Sequence, residues 1–227
     1  MDILTLSAIL PGLFLIWYVY QQDKIEKEPF DLLKELFLLG AAGVFVASFV
    51  EGVLVSVLKL LVNEKSLLGL VLQNFLGVAL VEEFIKHKVL QKTWNHPAFD
   101  YRFDAMVYAV VVGMGFAILE NIFYVWQHGF QVAVMRAVFS LPGHCIFAVY
   151  MGYYFGEAKV CETCGDLKGK QNFFKLSLLV PVLLHGFYDF CLAAGAEMFT
   201  FFILFTTLMD YKAYRKIKQY SSADRHL

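Results

Sequence analysis

Long apolar runs alternate along the chain with short charged stretches. The runs cover residues 3–20, 32–61, 67–90, 103–126, 131–155, 173–195 and 197–214. Most have the roughly 20 residues that a helix needs to cross about 30 Å of hydrocarbon. The second is long enough to tilt or to begin in the interface. The pattern predicts an all-α fold, a polytopic transmembrane bundle of about seven helices forming one domain over 1–227. A hydrophilic loop is expected over 156–172 and a basic tail over 212–227. The last two runs meet so closely around Gly195-Ala196-Glu197 that they must form an antiparallel hairpin. The first run reads as a retained span and not a secretory signal, because Met1-Asp2-Ile3-Leu4 lacks a positive n-region.

Charge sets the expected orientation. Lys24, Lys27, Lys34, Lys88, Lys92, Arg102, Lys159, Lys168, Lys170, Lys175, Lys212, Arg215, Lys216, Lys218 and Arg225 fall in the first, third and fifth connections and the C-terminal tail. The opposite side has Lys59, Lys65 and Arg136. The excess of basic residues marks the cytoplasmic face, so the N-terminus is expected outside and the C-terminus in the cytoplasm. Composition agrees: 59% of the 227 residues are hydrophobic and 17% charged, where a soluble domain carries about 25% charged. A net charge of −1 leaves no basic surface for nucleic acid, and the lipid bilayer is the expected surroundings. Cys145 and Cys191 lie in apolar runs, and Cys161 and Cys164 form a single Cys-x-x-Cys. One such pair does not complete a structural zinc site. The pair reads as reduced thiols or as a half-site completed by a second subunit. No internal repeat and no matching pair of broken helices, as in inverted-repeat transporters, is visible.

Against this apolar background a few polar groups stand out. Glu82, Glu83 and Lys86 fall inside the third run, Glu120 in the fourth, His144 in the fifth, and His185 and Asp189 in the sixth. Each charge near a bilayer centre costs about 2.5–3.5 kcal/mol on insertion scales, so their accumulation points to joint use. Counted from the cytoplasmic ends, Glu82 lies roughly 12 Å deep, the two histidines 17–18 Å, Asp189 24 Å and Glu120 26 Å. His185 and Asp189 share a helix face, and Asp189 is positioned to fix the imidazole tautomer. Lys86 is within one turn of both glutamates and is expected to neutralise one. The other would then be poised as a general base. Glu51 is expected to pair with Arg136 near the outer face, and Asp104 to begin the fourth helix. The same buried acids and histidines would also serve a proton-coupled transporter or channel.

At these positions the chain resembles the PrsW family of bacterial membrane proteases, within the superfamily of CAAX prenyl endopeptidases and bacteriocin-processing enzymes. Glu-Glu-x-x-Lys is matched by Glu82, Glu83 and Lys86, and Phe-x-x-x-Glu-Asn by Phe116, Glu120 and Asn121. Pro-Gly-His is matched by Pro142, Gly143 and His144, and His-x-x-x-Asp by His185 and Asp189. Asp23-Lys-Ile-Glu-Lys-Glu-Pro29 and Asp104…Tyr108…Gly113 are also similar to the family. The resemblance implies a multi-pass protein of the bacterial plasma membrane that hydrolyses peptide bonds. Its substrate would be a membrane-anchored anti-sigma factor, which receives its first cut here so that a sigma factor is later released. Glu82 would activate water, with His144, or His185 oriented by Asp189, stabilising the oxyanion. The chain departs from the prenyl endopeptidases in having Glu120 where they place histidine and Asp189 where they place asparagine. No cofactor is fixed by the sequence, but Glu82, Glu120, His144 and His185 offer the N and O ligands of a Zn²⁺ site.

Overall fold

The computed structural model describes residues 3–227 as seven helical rods. They are α1 (Ile3–Gln22), α2 (Phe30–Leu61), α3 (Leu67–Thr93), α4 (Asp104–His128), α5 (Phe130–Thr163), α6 (Leu167–Ala193) and α7 (Phe199–Ser222). There is no strand among the described residues beyond one isolated bridge between Tyr101 and His226. The first six rods are long and apolar enough to cross a membrane. α7 falls short because Asp210, Lys212, Arg215, Lys216 and Lys218 crowd its second half.

Two of the boundaries read from the pattern change. The loop expected over 156–172 is mostly helix: α5 continues to Thr163 and α6 starts at Leu167. Asp166 caps α6, its carboxylate accepting from the Gly169 N–H at 2.9 Å. Gly165 supplies the left-handed turn between the rods (φ 77°). The polar residues that looked like a loop are instead the solvated ends of two helices. The hairpin at Gly195 (φ 83°) forms where the sequence places it.

α4 is the central rod. It packs against α1, α2 and α5, and α5 packs in turn against α6. Nearly every residue from Asp104 to Ile118 is buried. The approach to α2 is backbone to backbone: a Cβ at Gly40 would strike the Val112 carbonyl, and one at Gly115 the Phe37 carbonyl. Gly152, which with Gly156 makes a Gly-x-x-x-Gly on α5, lies against the Met106 backbone in the same way, which lets α5 close on α4. Large apolar side chains such as Phe45, Phe49, Leu60 and Leu204 point outward. An exposed surface of this kind is at home in lipid.

Two rods carry an internal π-helical segment, Gln73–Ala79 in α3 and Arg136–Ser140 in α5. Each lies immediately before residues of the polar group, Glu82 in one and His144 in the other. A π segment inserts extra backbone per turn and so rotates the side chains beyond it, a device common at functional sites. At the other end of the bundle the last residues fasten onto the connection before α4. Leu227 N–H donates to the Asp100 carbonyl at 2.7 Å, and Phe103 N–H to Asp224 Oδ1 at 2.9 Å.

Candidate active site

Four rods meet around the polar group. Lys86 Nζ donates to Glu82 Oε2 at 2.9 Å and to Glu83 Oε1 at 2.8 Å, and lies 3.2 Å from His144 Nδ1. The expectation that Lys86 serves a single glutamate is therefore corrected. Residues three and four apart both sit beside it on the helix, and the ammonium bridges the pair. Phe116 stands under this ammonium, with the ring centre 4.3 Å away.

α6 supplies His185. Its Nδ1 is 3.0 Å from Glu83 Oε1 and its Nε2 is 3.2 Å from Asp189 Oδ2, so both ring nitrogens face carboxylates. Phe147 stacks on the imidazole at 4.8 Å and fixes its plane. His144 comes from α5, with its ring almost perpendicular to that of His185 and 5.2 Å from it. The second nitrogen of His144 lies 3.2 Å from Glu120 Oε2. Glu82, Glu83, Lys86, His144 and His185 are all buried.

Glu120 belongs to an outer layer. It accepts from Arg136 at 2.8 Å, and Arg136 also donates to Asn121 Oδ1 at 2.9 Å. Asn121 in turn donates to the Ala8 carbonyl of α1 at 2.8 Å. The expected Glu51–Arg136 pair is thus not made. Depth alone suggested it, but the turn between α4 and α5 puts Arg136 alongside Glu120. Glu51 Oε1 is buried with no hydrogen-bond partner.

The ligand atoms of Glu82, Glu83, His144 and His185 lie within 4.8 Å of one another, a set that could hold a metal ion. The set differs by one residue from the four read from the sequence: Glu83 takes the place of Glu120, which is held away by Arg136. Beside the group is a cavity of about 600 Å³. Glu82, Glu120, His144, His185 and Asp189 reach its wall, whereas Glu83 does not. Tyr124, Arg136, Leu192 and Phe199 place its far side at the α4–α5 and α6–α7 turns.

Sequence reasoning missed the role of Arg136 and the presence of Glu51, Asn74 and Tyr124 on the cavity wall. For Arg136 a signal existed. It comes seven residues after the Gly129 turn and Glu120 precedes that turn by nine, and in a helical hairpin positions near-equidistant from the turn lie side by side. For the other three no local feature gives the facing.

A family profile described as PrsW family intramembrane metalloprotease matches residues 28–211. Among curated proteins, Protease PrsW of Geobacillus kaustophilus is 35% identical over 94% of this chain and 90% of its own length. Protease PrsW of Bacillus subtilis is 33% identical over 96% and 95%. Protease PrsW of Oceanobacillus iheyensis is 37% identical over 86% and 84%. No solved structure matches the chain significantly. With six helices able to span a bilayer and a buried acid–imidazole group beside a cavity, the chain belongs to the PrsW family of intramembrane proteases and is a multi-pass bacterial membrane endopeptidase acting on protein substrates in the membrane.

Proposed function

We propose that the chain makes the first cut in a membrane-anchored anti-sigma factor, with Glu82 as the base that activates the attacking water. One observation carries the choice of base: of the two adjacent glutamates only Glu82 reaches the cavity wall. Glu82 takes a proton from water as the new C–O bond forms at the scissile carbonyl, and the carbonyl electron pair moves to oxygen. His144 hydrogen-bonds that oxyanion through Nε2, the nitrogen that turns to it from Glu120, and His185, held through both nitrogens by Glu83 and Asp189, lines the wall beside it. Asp189 holds His185 from the far side of the ring. Collapse of the intermediate breaks the C–N bond, and the proton held by Glu82 passes to the departing amine. The anti-sigma substrate is inferred from the family motifs at Glu82–Lys86, Phe116–Asn121 and His185–Asp189. Release of the sigma factor requires further proteolysis of the cut product.

The residues also fit a zinc ion. Two imidazoles and two carboxylates within 4.8 Å are the donor set that zinc takes. Glu83 Oε2, buried without a partner, is the kind of orphaned acceptor a cation satisfies. Glu82, Glu83, His144 and His185 would hold the ion, which would polarise the scissile carbonyl and acidify a bound water.

The test is cleavage in liposomes that contain the purified chain and a single-span anti-sigma factor, with new peptide ends identified by mass spectrometry. The wild type is expected to give one new pair of ends. Glu82→Gln is expected to lose 10²–10⁴-fold in rate while inserting normally, the usual worth of a general base. Cleavage by Glu82→Gln above about a tenth of the wild-type rate would remove Glu82 as the base. Cleavage of other membrane peptides but of no anti-sigma factor would remove the substrate class.

A further inference from the structure

A second buried acidic group lies at the opposite end of the bundle from the catalytic cavity. Asp23 and Glu28 come from the connection between α1 and α2, and Asp104 is the first residue of α4. Their carboxylate oxygens lie within 4.8 Å of one another. The residues are 2%, 5% and 1% exposed. Lys27, in the same connection, directs its ammonium at the main-chain carbonyls of Tyr20 and Asp23. Neutral donors serve part of the group. The Tyr108 hydroxyl donates to Glu28 Oε2, and the Asp100 and Tyr101 N–H groups donate to Asp104 Oδ2 at 3.2 and 2.7 Å. Asp23 Oδ2 is buried and receives no hydrogen bond at all.

Glu28 and Asp104 hydrogen-bond to each other, which leaves Asp23 with an orphaned oxygen beside them, a costly arrangement that a cation relieves. We propose that Asp23, Glu28 and Asp104 bind a hard divalent cation of the calcium and magnesium class, which clasps the α1–α2 elbow to the start of α4. The donor set is all oxygen, which selects hard cations over zinc. Oxygens 2.3–2.6 Å from a calcium ion stand at most about 5 Å apart, and the three side chains meet that limit without rearrangement. The site shares no residue with the Glu82–His185 group and does not depend on the protease reading. A cation here would hold together two segments far apart in sequence at the point where the chain's end also docks, through Asp224 on Phe103.

The experiment uses the full chain in detergent, stripped with chelator and then equilibrated with ⁴⁵Ca²⁺, with Mg²⁺ as competitor. One Ca²⁺ per chain is expected in the wild type, displaced by millimolar Mg²⁺ or Ca²⁺. Thermal unfolding should shift upward with added Ca²⁺ as a ligand of the folded state requires. His185→Ala should bind Ca²⁺ as the wild type does, because its change lies in the other group. Asp23→Asn keeps the shape of the side chain and should weaken binding at least tenfold, and Glu28→Gln should do the same; circular dichroism verifies that each is folded. Absence of binding by the wild type at millimolar Ca²⁺ and Mg²⁺ would overturn the proposal and leave shared protons to hold the three carboxyls. Binding within twofold of wild type in folded Asp23→Asn and Glu28→Gln, or its loss in His185→Ala, would overturn it equally.

Discussion

Glu82 and Glu83 are neighbours in sequence with different surroundings. Glu82 reaches the cavity, while Glu83 is tied behind it to Lys86 and His185. The pairing of His185 with Asp189 was legible in the sequence from their spacing alone, and their atoms stand 3.2 Å apart. What spacing does not give is the partner on the other nitrogen of the ring, Glu83, which is 102 positions away in the chain. The arrangement predicts that His185 and Asp189 act as a unit. Asp189→Asn should lower cleavage strongly without loss of fold, and the double change with His185→Ala should be scarcely slower than His185→Ala alone. Rates that multiply would show that Asp189 acts independently. Metal is tested at the same scale. Zinc held by Glu82, Glu83, His144 and His185 predicts that a strong chelator abolishes cleavage and Zn²⁺ restores it, with about one zinc per chain by elemental analysis of the active protein, whereas Glu82 acting as a free base predicts no effect of chelator. Full activity in zinc-free protein would leave the oxyanion to His144 alone.

At the scale of the helix, the spacing of apolar residues placed the rods, and for the first six a bilayer-length apolar run has few alternatives. Facing was less accessible. The π segments Gln73–Ala79 and Arg136–Ser140 leave no trace in hydropathy, since a shift of hydrogen-bond register changes no residue type. They rotate the residues beyond them, so depth along a rod is readable from the sequence while a lateral pair such as Glu51–Arg136 is not. The expected loop 156–172 failed for another reason: polar residues on a helix end and polar residues in a loop look alike without the cap, here Asp166. The contact of α2 with α4 is made at Gly40, whose missing side chain admits the Val112 carbonyl. Because the obstacle is backbone, it cannot swing away, and Gly40→Ala must push the rods apart. A cost of about 1–3 kcal/mol is expected, seen as a lower thermal midpoint in detergent. Gly52→Ala, where an added methyl group meets nothing within 4 Å, is the control and should leave the midpoint unchanged or raise it. Equal midpoints for Gly40→Ala and the wild type would mean that the two rods do not need this approach.

For the whole molecule, the direction in which the cavity opens decides where a substrate can be cut. Its far wall is built at the α4–α5 and α6–α7 turns, from Tyr124, Arg136, Leu192 and Phe199. The acidic group of Asp23, Glu28 and Asp104, the α5–α6 turn and the docked chain end occupy the other face of the bundle. The basic residues collect on that second face, and the bias of fifteen against three makes it the expected cytoplasmic face. With that face inside the cell the cavity would open toward the outside, and the scissile bond is expected in the outer half of the bilayer or just beyond it. The chain carries its own probe of this arrangement. Cys164 sits in the α5–α6 turn and is exposed, Cys161 beside it is partly covered, and Cys145 and Cys191 are buried. A membrane-impermeant maleimide applied to intact cells should leave Cys164 unmodified, and should modify it once the membrane is permeabilised. Gln127→Cys, introduced near the α4–α5 turn, should show the reverse and react in intact cells. Modification of Cys164 from outside would invert the molecule, and would turn the cavity, and the cut it makes, toward the cytoplasm.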